Sequence, residues 1–155
     1  MPDLRIEWAG DGIALHLPLQ EQGLIRGLAA DLVATLDDAP ADPSLRRLSP
    51  PAYDDEAEEK GYREIMGDEL LNGRVQALEL VTKTAGNERL SADEAEAWLR
   101  ALNDLRLVLG TRLDVQEGSL LDRIDSDDPD AAGLAVYAYL SWLQEQLVEA
   151  LSIDR

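Results

Sequence analysis

Catalysis needs groups that exchange protons, attack an electrophile or hold a metal, and this chain is sparing with all three. It has one histidine, His16, and no cysteine, so thiol nucleophiles, thiolate metal sites and disulfides are excluded. There is no G-x-S-x-G elbow, no G-x-x-x-x-G-K phosphate loop and no G-x-G-x-x-G fingerprint. Carboxylates are plentiful, with 32 Asp and Glu in 155 residues. The run "DSDDPD" (125–130) suggests calcium, but it lacks the glycine at loop position six and the glutamate at position twelve that an EF-hand requires. Its acids suit the N-terminus of a helix better. "DDEAEE" (54–59) has no histidine partner and no spacing that fixes a coordination shell; it too suits a solvated helix start. The residues therefore predict no catalytic, cofactor or metal site.

A different constellation stands in "WLRALNDLRLVLGTRL" (98–113). The leucines recur at helical spacing, yet Asn103, Arg106 and Gly110 sit among them. On a helical wheel Arg106 falls within the apolar face, and Gly110 falls beside both Arg106 and Asn103. A glycine there lets another backbone or a large side chain approach closely. A guanidinium there needs an acceptor. Two readings follow. One is an Arg–carboxylate pair beside a close helix crossing, with the acidic 54–69 stretch as the expected source of the carboxylate. The other is a binding surface. Arg46 and Arg47, beside the Pro-rich loop, form the densest basic spot in the sequence. Asn103, Arg106, Gly110, Arg46 and Arg47 are thus the candidate interaction or structural polar cluster.

The elements that must position these groups are mostly helical. "LRIEWAGDGIALHL" (4–17) alternates apolar and polar residues around Asp11-Gly12, which predicts a hairpin with Ile6 and Trp8 on one face. A lone hairpin is only marginally stable, so it must lie on helices. Periodicity predicts helices at about 19–37, 54–84, 91–114 and 129–152. A loop of four prolines runs through 37–53, and Ser91 with Glu94 supplies a capping box. The expected fold is mainly α, a helix bundle with a short N-terminal β-hairpin, in a single domain over 1–155.

Net charge is −18. That field repels nucleic-acid backbones and anionic lipid heads. Arg100, Arg106 and Arg112, spaced by six, point to three faces of a helix and form no stripe, so direct DNA binding is not expected. No apolar run is long enough to span a bilayer, and no targeting segment appears. A soluble cytoplasmic location follows as the expectation. The helices at 91–113 and 130–151 are apolar on several sides, which predicts a protein partner or a homodimer.

Two stretches, "RRLSPPAYDDEAEEKGYR" (46–63) and "AEAWLRALNDLRLVLGTRL" (95–113), resemble an actinobacterial family of AosR-type oxidative-stress transcriptional regulators, formerly a domain-of-unknown-function family. The order of hairpin, Pro loop, acidic helix and Leu-rich helices extends the resemblance along the whole chain. It implies a regulatory protein–protein interaction module acting through transcription machinery such as a sigma factor. An adaptor role linked to Clp proteolysis or sulfur metabolism is a rival implied by the same family; a direct DNA-binding regulator and an unrecognised enzyme are further alternatives. Redox sensing in such regulators is attributed to a disulfide. This chain has no cysteine, so that property does not carry over.

Overall fold

A computed structural model describes residues 4–38, 42–45, 47–48, 71–115 and 130–153. The described residues form a small antiparallel sheet and four helices. In chain order these are β1 (Ile6–Trp8), β2 (Ile13–Leu15), α1 (Leu19–Asp38), a 3-10 turn (Pro43–Leu45), α2 (helical over 71–84), β3 (Arg89–Leu90), α3 (Ala92–Arg112) and α4 (Ala131–Ile153). The mainly helical fold with an N-terminal hairpin is as the sequence predicts. The acidic stretch 54–69, "DDEAEE" within it, all of "DSDDPD" but its last residue, and Arg46 lie outside the described residues.

The hairpin pairs Ile6 with Leu15 and Trp8 with Ile13. Its connection differs from a two-residue Asp-Gly turn. Ala9 N donates to Gly12 O at 2.8 Å, and the left-handed residue is Gly10, at φ 91°. Gly12 serves another purpose: a Cβ there would stand 2.9 Å from Leu90 O. Its bare backbone lets β3 approach. That third strand, antiparallel to β2 through Ile13–Leu90 and Ala14–Arg89, adds to the hairpin that the sequence predicts. Two residues are too few to show a period. With a neighbour on each side, β2 buries Ile13, Ala14 and Leu15 alike.

The sheet does lie on a helix. Gln146 of α4 is buried, and its Oε1 accepts from the main-chain N–H groups of Arg5 at 2.8 Å and Ile6 at 3.1 Å. α1 follows its predicted stripe, burying Ile25, Ala29, Leu32 and Leu36. α3 opens as the sequence dictates: Ser91 Oγ accepts from Glu94 N, and Glu94 Oε1 accepts from Ser91 N, closing a capping box. Trp98 is the largest fully buried side chain. Its indole N–H donates to Thr84 Oγ1 at 2.7 Å, so the polar atom it carries into the core is satisfied. Around it pack Leu78 and Val81 of α2, Leu102 and Leu105 of α3, and Leu140, Leu143 and Leu147 of α4. Among the described residues, no helix is long and apolar enough to cross a membrane.

Candidate functional site

α3 and α4 run antiparallel, and their contacts fix the register. A Cβ on Gly133 would stand 3.0 Å from a Leu113 methyl, and one on Gly110 would stand 3.0 Å from the Tyr137 ring. Further along, Asn103 Oδ1 meets Gln144 Nε2 at 3.5 Å. At the far end, Glu96, Leu99 and Arg100 face Val148, Leu151 and Ser152 around a cleft of about 240 Å³. The numbers rise on one helix as they fall on the other, and Gly110/Asn103/Glu96 and Tyr137/Gln144/Leu151 each recur every seven residues. This is the spacing of a coiled-coil seam, in which a polar layer fixes register and orientation at some cost in stability.

That polar layer contains most of the cluster the sequence singles out. Gly110 has the predicted role of admitting a large side chain: the Tyr137 ring and Arg47 Nη1 crowd its Cα, the latter 3.1 Å from where a Cβ would be. Arg47 therefore joins Gly110, and its Nη2 donates to Val115 O at 3.3 Å. Asn103 and Arg106 form a second group with Gln144. Arg106 Nη2 donates to Asn103 Oδ1 at 3.3 Å. Arg106 Nε and Gln144 Oε1 are buried without a hydrogen-bond partner. The expected source of a carboxylate for Arg106, the 54–69 stretch, lies outside the described residues. Among the described residues Arg106 has the Asn103 amide, which also meets Gln144 of α4.

The Arg–carboxylate pair exists one helical side away. Arg74 of α2 donates to Asp104 Oδ1 at 2.6 Å and, through its other nitrogen, to Leu48 O at 2.6 Å. Asp104 is buried, and burial pushes its carboxyl above the ordinary range although Arg74 pulls the other way. Sequence reasoning missed it because Asp104 sits on the nominally polar side of α3. The neighbouring Val108, an apolar residue on that same side and fully buried, was the signal that this side is covered. A second junction ties β1, α1 and α4. Arg5 grips Glu21 at 3.0 and 3.1 Å and lies 5.5 Å from the centre of the Trp142 ring, while Tyr139 OH donates to Glu21 at 2.6 Å. Partial burial opposes the charge on Glu21, but the bonds from Arg5 and Tyr139 outweigh it and hold the carboxyl below its usual range. Burial, then the Glu21 carboxylate, pushes the Tyr139 phenol up.

These geometries hold elements together. His16 Nε2 stands 3.5 Å from Glu7 on the sheet, with both side chains about half exposed, away from the α3–α4 cleft. Among the described residues no group of three or more His, Asp or Glu is placed to hold a metal. The described arginines are mostly committed. Arg5, Arg74, Arg89 and Arg112 bond carboxylates, and Arg26 and Arg47 bond main-chain carbonyls. Arg112, tied to Asp31 of α1, parts company with Arg100 and Arg106 as the six-residue spacing requires. Arg100 has no hydrogen bond or ion pair among the described residues, and Arg106 has only its amide.

Comparison with known proteins gives this arrangement its relatives. The chain is similar to the oxidative stress regulator AosR of Mycobacterium tuberculosis and of Mycobacterium bovis, at 29% identity over 175 residues, covering 87% of this chain and 80% of each relative. It is also similar to the putative oxidative stress regulator AosR of Mycobacterium leprae, at 30% identity over 152 residues, covering 86% of this chain and 68% of the relative. No solved structure matches it. The model of the DUF2017 family, a domain of unknown function, matches residues 4–151, and the chain belongs to that family.

Proposed function

We propose that this protein is a regulatory protein–protein interaction module of the oxidative-stress response, acting on transcription machinery such as a sigma factor and without catalysis of its own. The observation that carries the reading is the run of regulator-named relatives aligned over most of their length. The side chains support it. The polar groups of the described residues are spent on joining helices, and the −18 charge disfavours a direct grip on nucleic acid. Because the chain lacks cysteine, the regulator does not sense oxidant through its own thiols. It is instead a component that binds, with the oxidant read elsewhere.

Deleting the gene in its own host and following survival and transcripts under peroxide tests the regulatory reading. Impaired survival and altered transcripts, restored by the wild-type chain, support it; an unaltered response overturns it. Binding of purified RNA polymerase and sigma factors to the immobilised protein tests the mechanism. Sequence-selective DNA binding by the purified chain at physiological salt would replace that mechanism with direct DNA recognition.

A further inference from the structure

The α3 wall of the α3–α4 cleft carries both signs of charge one helical turn apart. Glu96 and Arg100 line it together with Leu99, opposite Val148, Leu151 and Ser152 of α4. Both charged side chains are exposed. A glutamate four residues before a basic residue is the favourable order for an ion pair along a helix. Yet neither Glu96 nor Arg100 has a hydrogen bond or ion pair among the described residues, with each other or with any neighbour. The acid and the base of the lining are both available, and an apolar strip lies beside them. Leu99 and Leu151 of that strip are half-buried, and Val148 is 46% exposed. Ser152 Oγ donates to Val148 O at 2.8 Å and can still accept. Because Asn103 is level with Gln144, Ser152 stands at the Glu96 end of the cleft and Val148 toward the Arg100 end.

We propose that this cleft binds a free α-amino acid with an aliphatic side chain. Such a molecule carries an ammonium and a carboxylate on one carbon. The ammonium donates to Glu96 and to Ser152 Oγ, and the carboxylate accepts from the Arg100 guanidinium. The side chain lies against Leu99, Val148 and Leu151. A simple anion would satisfy Arg100 but meet Glu96; a simple cation would meet Arg100. The backbone inside a peptide has neither charge, and a peptide end has one. The free amino acid answers both groups. It also has no net charge, so the −18 field that resists anions does not resist it. Size agrees with charge. The cleft, at about 240 Å³, is smaller than the roughly 300–1,000 Å³ of pockets that take drug-sized ligands. Ion pairs at the surface are weak, so the dissociation constant is on the order of a millimolar. A ligand held in this way touches both helices and ties the first turns of α3 to the last turns of α4.

Titration of L-leucine into the full chain, followed through backbone amide NMR shifts, tests the proposal. Saturable shifts are expected at residues 96–100 and 148–152. N-acetyl-leucine lacks the ammonium and leucinamide lacks the carboxylate, so each should bind about three- to tenfold more weakly. Glycine, with no side chain to lay on the apolar strip, should also bind more weakly than leucine. Glu96→Gln should erase the preference for leucine over N-acetyl-leucine, and Arg100→Gln the preference for leucine over leucinamide. Both positions are exposed, and circular dichroism checks that each variant keeps its helix content. No saturable shift at up to about 50 mM leucine overturns the proposal. So do saturable shifts confined to other parts of the chain, equal affinities for leucine and its two blocked derivatives, or variants that keep both preferences.

Discussion

Replacing Arg74 with alanine strands the Asp104 carboxylate. The wild-type pair is short, 2.6 Å from Nη1 to Oδ1, and Asp104 keeps only 8% of its side chain exposed. Removing one partner of a buried pair costs about 3–5 kcal/mol, because the other is left charged and poorly solvated. Arg74 itself is 26% exposed, so water reaches the gap, and the expected loss is nearer about 2–3 kcal/mol. Part of it comes from the lost bond to Leu48 O. Arg106→Ala, two positions along α3 from Asp104, should behave quite differently. Among the described residues it removes a single 3.3 Å bond and a buried nitrogen that has no partner there, while Asn103 keeps its contact with Gln144. Its cost should stay within about 1 kcal/mol. Urea unfolding near pH 7 separates the two: the first variant should lose roughly 1 M in midpoint at unchanged slope, the second a small fraction of that. The pH dependence adds a second check. Burial holds the Asp104 carboxyl above its ordinary 3.8, so the folded state binds that proton more tightly than the unfolded chain does. The proton's contribution favours folding at low pH and is lost as pH rises through the raised value. Without Arg74 the carboxyl rises further and the loss deepens. The penalty of Arg74→Ala is therefore greatest near neutrality and shrinks as pH falls toward about 4. Equal penalties for the two arginine variants, or a penalty of Arg74→Ala that ignores pH, would refute this account of the α2–α3 junction.

Glu21→Gln should lower the melting temperature at neutral pH. The Glu21 carboxyl is held below 4.5 in the folded state, so its contribution is present above that value and lost as pH falls through the lowered one. Wild type and variant should therefore converge in melts at about pH 3, and a constant gap would contradict the junction with Arg5 and Tyr139. Gly110→Leu should cost roughly 1–3 kcal/mol by overpacking against Tyr137 and Arg47. Gly110→Ala should be far milder, because the helix propensity gained, about 1 kcal/mol, offsets a contact that needs only a slight shift. Thermal unfolding of both checks the close approach, which a neutral leucine would disprove. With Met1 and Met66 as its only sulfur-containing residues, the protein should show no reductant-reversible change in mobility or mass after mild peroxide. A reversible shift would reveal a redox group other than sulfur.

What could be read from the sequence was what local chemistry decides. The Ser91–Glu94 box, the stripe of α1 and the small residue at Gly110 declare themselves through types and spacing, and each appears where the spacing puts it. What depends on distant partners was harder to read. β3 exists because Gly12 lets Leu90 come close, a contact between residues far apart in the chain. Asp104, two residues from Arg106, is paired to Arg74, and the pattern did not mark it. A helical wheel gives the face on which a residue lies, but only the placement of α2 decides which face receives a counter-ion.

The Gln146 side chain that caps β1 has a consequence for how the protein comes into being. An amide from the last helix takes the main-chain N–H groups of Arg5, just before the strand, and of Ile6, its first residue, across 141 positions of sequence for Arg5 and 140 for Ile6. During synthesis the first strand therefore leaves the ribosome with its outer edge open, and the edge is covered only after α4 has been made. Until then those donors are available to any other extended chain nearby. Completion of the sheet belongs to the end of folding, and shortening the last helix before Gln146 would expose the N-terminal strand to aggregation while leaving its own residues untouched.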